Sequence, residues 1–145
     1  MIPPVSRYMT SSPHAVAPNE TLSSAGDLMR HYKVGHMPVL DDHALVGILS
    51  ERDVLSSYAV DDTVADAMNS DVSTVFAEMP IDDVVALMRA RHIGAVIIAG
   101  PAGVEGIFTL ADVTRAFCDL IRPERSPAVE ITPGKALREH VSDTD

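Results

Sequence analysis

Slid against itself by 59 positions, this chain matches without a gap. That single register constrains the fold more than any local pattern. Val5 falls on Val64, Met9 on Met68, Ser11 on Ser70 and Val16 on Val75. Leu28-Met29-Arg30 falls on Leu87-Met88-Arg89 and Gly35 on Gly94. Gly47-Ile48 falls on Gly106-Ile107, and Asp53-Val54 on Asp112-Val113. The chain is therefore two copies of one unit, residues 5–60 and 64–119, joined by Asp61-Asp62-Thr63. Residues 120–145 form a C-terminal tail without a counterpart.

Each unit can be read from its periodicity. Thr21 caps a helix over 22–32, whose Leu22, Ala25, Leu28 and Met29 recur at helical spacing. Residues 37–40 and 45–49 read as two short strands around the turn Asp41-Asp42-His43, followed by a helix over 51–57. The second unit repeats this, with a helix over 81–91, strands over 95–99 and 104–108, and a helix over 110–120. A short extended piece around Val16 or Val75 precedes each long helix. The expected fold class is α+β, with strand, helix, strand, strand, helix occurring twice. A unit of this size covers only one face of its sheet, so the copies should pack sheet to sheet around a pseudo-twofold axis.

Composition narrows the function. Of 145 residues, 46% are apolar, which is globular, and a formal charge of -10 disfavours a nucleic-acid backbone as partner. One cysteine excludes an internal disulfide framework and a Cys-rich zinc site. Cys118 is expected in the core, beside Val113 and Phe117. No apolar run is long enough to span a bilayer and no signal peptide is legible, so no membrane partner and a cytoplasmic protein are expected. The histidines do not fall at metal-ligand spacing, and His31, His36 and His43 are read as solvated. No nucleophile with a base and an orienter is recognisable, so the chain is not read as an enzyme.

One motif carries chemistry. Gly47-Ile48-Leu49-Ser50-Glu51-Arg52-Asp53 matches Gly106-Ile107-Phe108-Thr109-Leu110-Ala111-Asp112: glycine, two apolar residues, a hydroxyl, two variable residues, aspartate. The glycine is expected to let a ligand approach the strand. The hydroxyl lies at a helix N-terminus, where unpaired N–H groups favour an anion. The aspartate follows one turn on and can accept two hydrogen bonds from a vicinal diol, as acidic residues hold ribose in other folds. A plain helix cap with a first-turn charge explains one copy equally well. Two copies in register favour the ligand.

The duplicated unit resembles the cystathionine-β-synthase (CBS) domain, and residues 5–119 resemble a tandem pair. The resemblance rests on the doubled Gly-x-x-Ser/Thr-x-x-Asp motif, the openings Met9-Thr10 and Met68-Asn69, and the segment Val34-Gly35-His36-Met37-Pro38-Val39. It implies a regulatory module that binds adenosine-containing ligands, chiefly AMP, ADP or ATP, in clefts that mix both repeats. It also implies a homodimer acting on a regulated protein that the sequence does not identify. One cleft would use Gly47, Ser50 and Asp53 with Asn69, Ser73 to Val75 and Ile93 to Ile97. The other would use Gly106, Thr109 and Asp112 with Thr10, His14 to Val16 and Gly35 to Pro38. Asp53 and Asp112 would hold ribose, and backbone near Val16 or Val75 would meet adenine. His36 would serve phosphate in the Asp112 cleft; its counterpart is Ala95, and Arg52 would supply the cation of the Asp53 cleft. That arginine makes the Asp53 cleft the expected tighter site for phosphorylated ligands. Asp53 and Asp112 should both be replaceable without loss of fold. The alternatives are a ligand-free dimerisation or docking module, and a sensor of another adenosyl compound such as S-adenosylmethionine. The tail from about residue 123 is expected to be extended or mobile.

Overall fold

The computed structural model describes residues 1–57 and 61–121; the expectation for the tail falls outside them. After a short 3-10 turn at Val5–Arg7, the elements are β1 (Thr10–Ser11), α1 (Leu22–Tyr32), β2 (His36–Asp41), β3 (Ala44–Ser50) and α2 (Glu51–Leu55). The second half has α3 (Val64–Ala67), β4 (Thr74–Val75), α4 (Ile81–Arg91), β5 (Ala95–Gly100), β6 (Gly103–Thr109) and α5 (Leu110–Ile121). The fold is mixed α+β, and both long helices begin and end where the apolar spacing places them. Thr21 caps α1 by accepting from the Ser24 N–H at 3.1 Å. Both helices stop at a left-handed residue, Lys33 after α1 and His92 after α4. The turn between β2 and β3 holds Asp42 and His43 at positive φ, which suits a two-residue hairpin.

The openings of the two repeats are exchanged. β1, from the first repeat, pairs antiparallel with β6 of the second, Thr10 opposite Ile107. Asn69, from the second repeat, bridges Ile48 of β3, with both backbone N–H···O bonds at 2.9 Å. Side chains follow the backbone. Val5 and Tyr8 pack in the core built by Val75, Ile81, Val84, Met88, Val96, Ile98 and Phe108. Val64 packs among Val16, Leu22, Ala25, Met29, Met37, Val39 and Leu49. A third cluster joins the sheets, Ala95, Ile97 and Ile107 against Leu45, Ile48, Val72 and Val104. The sequence repeat and the packed unit therefore do not coincide: each core is closed by residues from the other repeat's start, Val5, Tyr8 and Met9 in one and Val64, Ala67 and Met68 in the other.

The motif glycines serve this exchange. A Cβ built on Gly106 would lie 2.5 Å from the Met9 sulfur and 3.0 Å from the Thr10 carbonyl oxygen. One on Gly47 would lie 2.5 Å from the Met68 sulfur and 3.1 Å from the Asn69 carbonyl oxygen. The expectation of ligand approach at these glycines is corrected. What approaches is the crossing segment, with its methionine folded over the bare backbone.

Cys118 is exposed rather than buried, because α5 turns Asp112 and Ala116 inward. No described helix is long and apolar enough to cross a membrane.

Gly106→Ala should destabilise the protein by about 1–3 kcal/mol through overpacking. Met9→Ala in the same chain should recover only part of this, since the Thr10 carbonyl remains close. Thermal unfolding of the single and double variants checks both.

Candidate functional site

Two cavities lie where the repeats meet, and most of their lining positions correspond under the 59-residue shift. The larger, about 480 Å³, is lined by Thr10, Ser12, Pro13 and His14 after β1, by Lys33 to His36, and by Ile107, Thr109, Ala111 and Asp112. The smaller, about 280 Å³, is lined by Asn69, Asp71, Val72 and Ser73, by His92 to Ala95, and by Ile48, Ser50, Arg52 and Asp53. Each cavity thus takes its opening segment and helix end from one repeat and its Asp motif from the other. The exchange of β1 with the Asn69 segment makes this inevitable, since it lays each opening along the strand that ends in the partner motif.

The aspartates do two jobs. In α2, the Asp53 N–H donates to Ser50 Oγ at 3.1 Å, while the Ser50 N–H donates to Asp53 Oδ2 at 2.9 Å. This is a reciprocal capping box with aspartate in the usual glutamate place. In α5, the Thr109 N–H donates to Asp112 Oδ2 at 2.9 Å and its hydroxyl to the same oxygen at 3.3 Å. So the cap explanation and the ligand explanation are not exclusive. A carboxylate has about four acceptor sites, and capping uses one or two. Among the described residues, Oδ1 of Asp53 makes no hydrogen bond. Oδ1 of Asp112 accepts from Arg115 at 3.3 Å, and Arg115 also donates to the Tyr8 carbonyl at 2.6 Å. Asp112 is 8% exposed. The expectation that Asp112 is a dispensable surface residue is therefore corrected; its loss removes the cap on α5 and the carboxylate that Arg115 meets.

The remaining expected residues divide cleanly. Thr10, His14, His36, Thr109 and Asp112 meet at the larger cavity. Ser50, Arg52, Asp53, Asn69 and Ile93 meet at the smaller. Five do not line either cavity. Gly47 and Gly106 lie under Met68 and Met9. Pro38 is fully buried. Val16 and Val75 are core residues whose backbone is spent on strand pairing. Val16 N–H donates to the Pro38 carbonyl at 3.1 Å, and Val75 pairs with Ile98. Neither valine's own backbone is left for an adenine edge.

His36 lines both cavities, not the larger alone. Burial holds its pKa below the ordinary 6.5, against a smaller opposing pull from Asp53. His14 is not a bare polar residue either. Its ring stacks on Tyr32 with centroids 3.5 Å apart, and His31 meets the same ring edge-on at 4.8 Å. The stack pins the segment after β1 to the end of α1 and so holds one cavity wall.

Lys33 in the larger cavity, and Asp71 and His92 in the smaller, were missed by the sequence reading. The repeat itself carried the signal for two of them, since Lys33 falls on His92 just ahead of the glycines that line the larger cavity. Together they reverse the expected electrostatics. The larger cavity sets Lys33 against one carboxylate, while the smaller sets Arg52 against two. Among the described residues no group of three His, Cys, Asp or Glu could hold a metal.

A family model described as CBS domain matches residues 5–60 and again 64–119. The CBS domain-containing protein YhcV of Bacillus subtilis is 27% identical over 110 residues, covering 72% of this chain and 79% of that protein. The CBS domain pair of protein MJ0100, solved in complex with 5-methylthioadenosine and S-adenosyl-L-methionine, superposes with a TM-score of 0.76 at 26% identity. That match covers 81% of this chain and 97% of the other. CBSX2, solved in complex with AMP, superposes with a TM-score of 0.73 at 25% identity, over 83% and 99% of the two chains. This chain belongs to the CBS domain family and carries the domain twice in tandem.

The lowered pKa of His36 has a stability consequence. Below 6.5 the unfolded chain takes up a proton there that the folded chain resists. Stability should therefore be fully present above that value and fall as pH drops through 6.5 towards the lower folded value. Asp66, lowered by the Thr63 cap, adds a loss only in the carboxylate range below it. Melting temperatures between pH 8 and 5.5 should show the loss in the wild type and a flatter profile in His36→Thr.

Proposed function

We propose that this CBS pair is a regulatory module that binds an adenine nucleotide, with AMP in the Asp112 cleft as its primary ligand. The observation that carries the reading is the doubled cavity, built from equivalent positions of both repeats around a hydroxyl and an aspartate with acceptor sites to spare. A ribose diol can use those sites without undoing the cap. The larger cleft is within the range of small-molecule sites. It also supplies what a phosphate needs in a chain of net charge -10, namely Lys33 with His14 and His36 beside it. On this ground the Asp112 cleft, rather than the Asp53 cleft, is the tighter phosphate site. The bound AMP of CBSX2 supports the ligand class. The Asp53 cleft, where Asp71 adds a second carboxylate, suits a less anionic adenosyl compound. The 5-methylthioadenosine and S-adenosyl-L-methionine of the MJ0100 complex are ligands of that kind.

A homodimer belongs to the same reading. Leu110, Thr114, Phe117 and Ile121 form one stripe along α5, and the three apolar members are 59%, 63% and 62% exposed. Exposed apolar surface of this extent on a regular helix fits a partner's equivalent helix. Light scattering at micromolar concentration should give a dimer for the wild type and a monomer for Phe117→Asp. A wild-type monomer would remove the claim.

AMP should raise the melting temperature, because a ligand of the native state alone stabilises by mass action. Asp112→Ala should weaken AMP roughly 10- to 100-fold, the loss of hydrogen bonds to a charged group. Asp112→Asn separates cap from ligand, since its amide oxygen still caps the helix. Calorimetry with AMP, ATP and S-adenosylmethionine tests the ligand class directly. No heat and no thermal shift at millimolar concentration would favour the ligand-free docking module instead.

A further inference from the structure

The two clefts share a wall: among the described residues, His36 and Gly94 alone line both. The reason lies in one departure from the repeat. His36 belongs to the segment that walls the Asp112 cleft, and its counterpart in the Asp53 cleft is Ala95. Alanine ends at its Cβ, whereas the longer His36 side chain lines the Asp53 cleft as well as its own. A Cβ built on Gly94 would sit 3.7 Å from both Cε1 and Nε2 of His36, so the ring lies against bare backbone there. The Asp53 carboxylate faces the ring from the second cleft and favours its protonated form, though less than burial disfavours it.

We infer that His36 couples the two clefts, so that a phosphorylated ligand in one weakens a phosphorylated ligand in the other. The inference rests on the nucleotide reading above and adds a regulation to it. A neutral imidazole has one N–H donor and one lone pair. A phosphate that takes the N–H in the Asp112 cleft leaves the lone pair turned towards the Asp53 cleft. An anion entering there meets that lone pair and, one side chain away, the first phosphate's charge through a partly desolvated wall. Burial favours the neutral ring before ligand arrives, so a second donor is not already present. The effect is reciprocal, because coupling free energies are. An uncharged adenosine carries neither the phosphate nor the need for the donor, so it fills either cleft without regard to the other. The module then reports one anionic nucleotide at a time while leaving the Asp53 cleft open to a neutral or cationic adenosyl ligand.

The test uses the full chain and reads each cleft separately by the amide resonances of Ser50 and Asp53 on one side, and Thr109 and Asp112 on the other. Ala111 is exposed and lines only the larger cleft, so Ala111→Trp blocks that cleft with an uncharged side chain while His36 itself stays in the chain. AMP should bind the Asp53 cleft roughly tenfold or more tightly in Ala111→Trp than in wild type whose larger cleft AMP has already filled, within the usual range of coupling. Adenosine should bind the Asp53 cleft equally in both. In His36→Ala and His36→Thr the AMP difference should vanish. Equal AMP affinity for the Asp53 cleft in Ala111→Trp and wild type would overturn the coupling and leave the nucleotide reading standing. A difference as large for adenosine as for AMP would overturn it too. No resonance moving with either ligand would overturn both readings. The AMP and adenosine comparison holds even if the His36 variants do not fold.

Discussion

The close approach of Met9 and Met68 to the two motif glycines is the contact on which the architecture turns. Each opening segment must lie flat on a strand of the other repeat, with its carbonyl about 3 Å from where a side chain would begin. Once it does, Val5 and Val64 drop fully buried into the opposite cores. The backbone then locks symmetrically, Val5 N–H to the Met79 carbonyl and Val64 N–H to the Glu20 carbonyl, both at 2.8 Å. Neither repeat can complete its core alone. The clefts follow as a geometric consequence, since the chain emerging from each crossing runs past the helix start that carries the partner's aspartate.

That crossing also explains how one aspartate can serve both fold and ligand. A capping box at the first turn fixes the carboxylate by its own backbone bonds, so its unused acceptor sites point in a set direction without cost at the moment of binding. A ligand group meeting it pays less ordering entropy than one meeting a mobile surface carboxylate. The two copies differ in how much is spare. Arg115 leans on Asp112 while Asp53 has an oxygen without a partner among the described residues. Arg115 is itself largely exposed, and such a pair is weak and easily displaced. The ion pair therefore tunes the site rather than closing it.

Much of this was legible in the sequence. Period 3.6 in Leu22, Ala25 and Met29 and in Ile81, Val84 and Met88 marks helices whose apolar faces the cores require. The doubled Asp motif, read with the CBS resemblance, names ten residues that line the two cavities. What failed has a common cause. The cleft was expected from whole segments, and a segment turns only some of its residues towards a cavity while its neighbours pack inward. So Val16, Val75 and Pro38 look like neighbours of a ligand when they are core, and the glycines look like ligand contacts when they are crossing points. Cys118 misled because apolar spacing on α5 describes two faces, one packed against β6 and the other exposed. Asp71 was invisible for a different reason. Its counterpart is Ser12, so the repeat gave no warning of a charge there.

Most of the differences between the two clefts act in one direction on charge. Lys33 against His92, Ser12 against Asp71 and His36 against Ala95 all make the larger cleft more hospitable to an anion. Only Arg52 against Ala111 runs the other way. A chain with ten more acidic than basic residues repels free anions at long range. Binding a phosphate from that background needs a cation placed locally, and each cleft has one, Lys33 or Arg52; the second carboxylate of the smaller cleft, Asp71, makes the larger the better anion site. The shared imidazole then becomes useful rather than redundant, because the neighbouring cleft is already the less anion-tolerant of the two. On the proposed reading, the difference in charge and the wall shared through His36 together let one cleft respond to what fills the other.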